Sequence, residues 1–281
     1  MIGFQYYRPD NLEIASEILI KNGTYTHILN GGTDLIERIK NETVKADILV
    51  DIKGIEALHK IDFVEDKGLY IGACATLKDL INSNVVQEKY RILIDSMESI
   101  GTERIRKRGT VIGNICNGSY LGDTLTTLII LDTEVMIYSY VRGERQIPID
   151  EFLTWTGTTS LKRGEIVKGI KIPYHEYIDG GFIKIYKNKG NLSITNLSIG
   201  KINDEYRIAF YMPGSTPVRI REVEEFLKGR KITEYDIYKV AKMAENKVIE
   251  KDSFNLLKKD DVKQIKDLIK YVFLAFSKEP D

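Results

Sequence analysis

The stretch His27-Ile-Leu-Asn-Gly-Gly-Thr-Asp34 sets two adjacent glycines and a hydroxyl residue between an apolar, strand-like run and a helical run over 35–40. Glycine lets the backbone turn where a Cβ would clash and lets N–H groups approach a ligand. The helix start that follows adds unpaired N–H groups and a partial positive charge. The turn therefore suits an anion. Similar turns ahead of a capping residue also occur in proteins that bind nothing, so Asp34 reads either as a site residue or as a helix cap. A second glycine-and-hydroxyl turn, Arg108-Gly-Thr-Val-Ile-Gly-Asn114, is followed by a Gly-Asp-Thr step at Asp123. One loop wraps one phosphate. A pyrophosphate linking two nucleosides needs donors from both sides, and a carboxylate such as Asp123 can hold sugar or ribityl hydroxyls. A dinucleotide is the expected ligand, in a cradle other than GxGxxG, which is absent.

Other chemistries have less to work with. The 281 residues carry 41 basic and 41 acidic side chains, so no net field favours nucleic acid. Arg104, Arg106, Lys107 and Arg108 form a local cationic cluster, either a solvated face or a contact to phosphates or an acidic protein. Cys74 and Cys116 are too few for an iron–sulfur cluster or a structural zinc and read as packing residues. His27, His59 and His175 lack metal-ligand spacing, so no metal is expected. With no long apolar segment at the start or elsewhere, a cytoplasmic chain without a membrane span is expected.

The elements that must position these loops alternate at first. Helix signals over 10–21 and 35–40 and strands over 26–29 and 46–52 read as a small α/β unit. Tyr6 and Tyr7 are expected to pack on the first helix. An apolar run over 69–74, a helix from Thr76 and a helix over 88–99 begin a second unit. It continues with a helix over 125–131 and strands over 134–140 and 165–172. Residues 173–181, with their glycine pair, are the expected linker. Three strand-like runs over 181–186, 192–201 and 206–211 suggest an antiparallel sheet, followed by helices over 219–228, 233–249 and 261–276. In the last helix Val262, Ile265, Leu268, Ile269, Val272, Phe273 and Phe276 form one apolar stripe, read as core.

These residues resemble the FAD-binding subunits of the molybdenum hydroxylases, a family that includes flavin subunits of xanthine, carbon monoxide and nicotinate dehydrogenases. The family's first turn, Gly-Gly-(Thr/His)-(Asp/Ser), stands here as Gly31 to Asp34. Its Thr-Ile-Gly-Gly-Asn turn stands as Thr110 to Asn114, and its Ser-Pro-x-x-Asp step as Ser119 to Asp123, with Tyr120 in place of Pro. The segment 152–166 and Ser215-Thr-Pro-Val-Arg219 are further echoes. Ile112 stands where the family has its second glycine, which implies backbone strain if φ is positive there.

The resemblance implies an α+β fold. A two-lobed FAD-binding domain of the vanillyl-alcohol oxidase type, residues 1–175 with lobes of about 1–55 and 56–175, would precede a 176–281 domain with a three-stranded antiparallel sheet and helices. Ile28, Leu29, Asn30, Gly31, Gly32, Thr33, Asp34 and Leu35 would wrap the FAD pyrophosphate. Thr110, Val111, Ile112, Gly113 and Asn114 would close the other side. Ile100 and Gly101 would lie against the flavin, Val167 would back the ring, Asp123 would hold the ribityl or ribose region, and Lys187 would lie near the ring. The chain itself would contribute no catalytic acid, base or nucleophile. It would be the FAD-carrying, electron-transferring oxidoreductase subunit of a hetero-oligomer, taking electrons from a [2Fe-2S] subunit that serves a molybdenum-cofactor subunit and passing them to NAD or another acceptor. Two alternatives stay open: a freestanding FAD-dependent reductase on the same fold, and a non-catalytic subunit that has lost FAD.

Overall fold

Polar residues begin the helices where the local sequence supplies a cap. The Asn11 side chain accepts a hydrogen bond from the Ile14 N–H and opens the helix Leu12–Lys21, while Thr76 with Asp79 and Thr233 with Asp236 form reciprocal capping boxes for Leu77–Ile81 and Glu234–Lys251. The computed structural model describes residues 3–119, 122–186, 193–212, 215–252 and 254–276.

Three main sheets follow one another along the chain. The first is parallel, with Ile48–Asp51 in the centre, Gln5–Tyr7 on one side and Thr26–Leu29 on the other. The second is antiparallel, in the order Ile61–Val64, Gly68–Gly72, Ile166–Ile172, Glu134–Ser139, Gly143–Pro148. These two sheets share one apolar core that includes Val50, Leu69, Ile71, Ile137, Ile166 and Ile170. The third is an antiparallel meander of Ile178–Tyr186, Ser193–Ile202 and Glu205–Tyr211, and a two-residue strand, Val218–Arg219, extends the expected three strands to four.

The meander lies between two layers of helix. Its Leu197, Ile199, Ile208 and Phe210 enter a second core with Val240, Ala244, Ile265, Ile269 and Phe273. The stripe on the helix Lys259–Phe276 is thus core, as its spacing predicts. On the other face the meander meets Leu125–Ile130, a helix buried all round, where Thr126 and Thr127 each share a 2.9 Å hydrogen bond with Ser198. Arg207 and Arg219 of the meander both pair with Asp132 just beyond that helix and donate to its Ile130 and Ile129 carbonyls.

Two expectations change. Residues 88–99 are not one helix: Asn84–Lys89 and Arg91–Glu98 meet at Tyr90, whose buried ring contacts Phe63 edge-on and whose backbone leaves the helical region. The glycine pair of 173–181 is not linker but strand. A Cβ on Gly180 would stand 2.5 Å from the Ile199 carbonyl oxygen, so glycine serves close strand approach.

Candidate cofactor site

The parallel pairing of Thr26–Leu29 with Ile48–Asp51 delivers the first glycine loop to the sheet end, beside the second loop. A Cβ on Gly31 would lie 2.3 Å from the Arg108 carbonyl oxygen and 3.0 Å from Gly109 Cα, so the two loops touch there only because residue 31 has no side chain. Gly32 has φ +72°, the left-handed region that favours glycine. Among the described residues, the backbone N–H groups of Gly31, Gly32, Thr33 and Asp34 donate no hydrogen bond within the chain. Four consecutive unspent donors are an anion site in waiting.

The second loop differs from its sequence reading. Thr110 accepts from the Gly113 N–H at 2.9 Å and caps a helix, Val111–Asn117, so the segment is a helix start and not a glycine turn. Ile112 sits in the first turn of that helix and is not among the positive-φ residues, so the expected strain does not arise. The Gly109 carbonyl accepts from the Leu77 N–H at 2.8 Å, tying this loop to the capped helix that begins there.

A third wall comes from 161–167, ahead of the strand Ile166–Ile172. Glu165, 4% exposed, takes a bidentate pair from Arg145 at 2.9 and 2.7 Å and the Lys162 N–H at 2.7 Å. Burial opposes its ionisation, but these donors outweigh burial and hold its carboxyl below the ordinary range. The wall is also fastened to the first helix. Ser16 Oγ donates to the Gly164 carbonyl at 2.6 Å, and Arg163 donates to the Asn22 carbonyl at 2.6 Å.

Together the three walls enclose a cavity of about 690 Å³, within the range of cofactor pockets. Ile28, Asn30, Gly31, Gly32, Thr33, Asp34, Leu35, Ile100, Thr110, Ile112, Gly113, Asn114 and Val167, all named by the family resemblance, line it. Leu29, Gly101, Val111 and Asp123 do not. Leu29 follows Ile28 on a strand, so it faces the other way, into Ile39, Ala46 and Leu49. Val111 is fully buried core. Gly101, with φ +47°, shapes the bend before Glu103–Arg106.

Asp123 is 2% exposed and ion-paired with Lys184 at 2.7 Å. Burial pushes its carboxyl pKa up and Lys184 opposes that shift. Its Oδ1 has no hydrogen-bond partner among the described residues. Lys187 and Tyr120 lie outside the described residues.

Sequence reasoning missed Arg38, Asn117, Arg163 and Gly164 on the cavity wall. Arg38 carried one signal, its spacing of one helical turn from Asp34, with which it pairs at 3.6 Å. The cationic cluster does not line the cavity through its side chains. Arg106 instead donates to the Glu98, Ile100 and Gly101 carbonyls, and Lys107 pairs with Glu103. Tyr6 and Tyr7 do not pack away as expected. Both stay exposed, and the Tyr6 hydroxyl bonds Asp51. Among the described residues no cluster of His, Cys, Asp and Glu could hold a metal, and no helix is long and apolar enough to cross a membrane.

Comparison with known proteins bears on what fills the cavity. A family model described as the FAD binding domain in molybdopterin dehydrogenase matches residues 2–175. The xanthine dehydrogenase FAD-binding subunit of Escherichia coli O157:H7 is 30% identical over 229 residues, 78% of this chain and 77% of that protein. The nicotinate dehydrogenase FAD-subunit of Eubacterium barkeri is 29% identical over 246 residues, 83% and 82% of the two chains. Among solved structures, a chain of carbon monoxide dehydrogenase from Hydrogenophaga pseudoflava superposes with a TM-score of 0.85 at 22% identity, covering 97% of this chain and 96% of that one.

Proposed function

The chain belongs to the family of FAD-binding domains of molybdopterin dehydrogenases, an oxidoreductase family whose cofactor is FAD, and from that premise we propose that it is the electron-transfer subunit of a larger molybdenum hydroxylase. Its partners in this reading are a molybdenum-cofactor subunit and a [2Fe-2S] subunit. The site fits the cofactor on its own geometry. Gly31 has no room for a Cβ where the loops meet, and the donors beside it are unspent. That juncture is the observation that carries the reading.

In this assignment residues 30–35 hold the diphosphate from one side and Thr110, Ile112, Gly113 and Asn114 from the other. Asp123 is assigned the ribityl or ribose region on the family resemblance alone, since it is buried off the cavity wall and paired with Lys184. Ile100 and Val167 lie toward the ring. The cofactor-binding domain is 1–175, built of lobes 1–55 and 56–175 on the vanillyl-alcohol oxidase plan, and 176–281 is the second domain. Apolar walls such as Ile28, Ile52, Ile100 and Ile166 keep water from the ring. When bound, FAD supplies one- and two-electron redox chemistry, which suits a subunit between single-electron clusters of a partner and an acceptor such as NAD. A cytoplasmic setting, where both thiols stay reduced, belongs to the same proposal.

The test is purification of the chain with whatever binds it from its source, followed by an absorbance spectrum and subunit masses. Flavin and iron–sulfur bands with two further subunits and bound molybdenum are expected. A chain that purifies alone and turns over a substrate with NAD(P)H would contradict the assignment.

A further inference from the structure

The peptide that joins Asn30 to Gly31 is held from behind. Lys53 Nζ donates to the Asn30 carbonyl oxygen at 3.0 Å. Lys53 is itself set by Asp51, a carboxylate 4% exposed at the end of its strand, which accepts from Lys53 Nζ at 2.8 Å and from the Lys53 N–H at 2.9 Å. The other Asp51 oxygen takes the Tyr6 hydroxyl at 2.5 Å. The Asn30 side chain is fixed as well, donating to the Ala73 carbonyl at 2.6 Å. Asn30 and Gly31 line the cavity, whereas Lys53, Asp51 and Tyr6 do not.

A trans peptide is planar, so its C=O and N–H point in opposite directions. A carbonyl drawn back toward Lys53 therefore turns the Gly31 N–H toward the cavity. Were that peptide free to flip, carbonyl lone pairs would face an incoming anion. The ammonium behind the carbonyl also polarises the peptide and strengthens the N–H as a donor. Burying Asp51 costs solvation, and that cost is offset only because all of its donors are in place.

We propose that Lys53, oriented by Asp51 and Tyr6, is a positioning residue for the diphosphate, holding the Asn30 carbonyl away from the anion and the Gly31 N–H toward it. The proposal rests on the reading that the first glycine loop takes the diphosphate.

The test uses the full chain stripped of flavin and titrated with three probes: FAD, ADP and riboflavin. Riboflavin shares the ring and ribityl chain but has no phosphate. Lys53→Met should weaken FAD and ADP together by about 10- to 100-fold, the span of one charge-assisted hydrogen bond, and leave riboflavin unchanged. Lys53→Arg keeps a donor and a charge and should restore most of the loss. Tyr6→Phe, a change at an exposed ring, should give a smaller loss with the same dependence on phosphate. Unchanged FAD and ADP affinities in Lys53→Met, or an equal loss for riboflavin, would overturn the proposal. Should Lys53→Met fail to fold, Tyr6→Phe decides: FAD and ADP weaken together, or the positioning role is wrong. Wild-type chain that binds riboflavin as tightly as FAD and ignores ADP is a different result, which removes the diphosphate reading itself.

Discussion

Substituting Gly31 by alanine probes the contact on which the site depends. The new Cβ would stand 2.3 Å from the Arg108 carbonyl oxygen, 3.0 Å from Gly109 Cα and 3.1 Å from the Arg108 carbonyl carbon. All three are backbone atoms, so no side chain can swing aside. An unstrained C···O contact begins at about 3.3 Å, which means that the loops must part by about 1 Å. A hydrogen bond of about 2.9 Å stretched by that amount is no longer one. Losing two donors to a charged diphosphate, at about 1.5–3 kcal/mol each, weakens FAD by at least about 100-fold. The strain also costs the fold about 1–3 kcal/mol, or about 2–10 °C in Tm. Fluorescence titration of stripped chain with FAD measures the first effect, and scanning calorimetry of the same sample the second. Gly181→Ala is the control, since a Cβ there meets nothing within 4 Å. Gly31→Ala with wild-type FAD affinity would show that the two loops do not act together on the cofactor.

Other perturbations follow from the same geometry. Glu165 has a lowered carboxyl pKa, so its contribution is present above its unfolded value of 4.5 and is lost as pH falls through the folded value. Wild-type Tm should therefore drop more than that of Glu165→Gln over roughly pH 5 to 3, and parallel curves would argue against the Arg145 pairing. Ser16→Ala removes a buried hydroxyl that donates to Gly164 and accepts from the Tyr140 N–H, and should cost about 2 kcal/mol in denaturant melts with weaker FAD retention. Burial pushes the Cys74 thiol up to about 12. It should resist alkylation at neutral pH until the chain unfolds, and rapid labelling of Cys74 in native protein would refute that.

Much of the site was legible because its signals are local. A glycine pair after an apolar run states its backbone needs within a few residues, and 13 of the expected site residues do line the cavity. One miss was local: the Thr110 cap turned an apparent glycine turn into a helix start and left Ile112 unstrained. The others depend on partners far along the chain. Arg163 and Gly164 reach the cavity because Asn22 and Ser16 hold them, more than a hundred residues away in sequence. The role of Tyr6 rests on a carboxylate at position 51 that no periodicity connects to it. The fold shows the same division. Caps and amphipathic stripes predicted helices such as Leu12–Lys21, Glu234–Lys251 and Lys259–Phe276, while Val218–Arg219 joined the third sheet only through its pairing with Glu205–Tyr211.

The most direct test of the central claim is the flavin content of the purified chain, measured by absorbance and then by identifying the flavin released on denaturation. The geometry predicts FAD, taken up again by stripped chain and displaced by ADP. Protein that is colourless as purified and takes up no FAD, although correctly folded, would contradict the account.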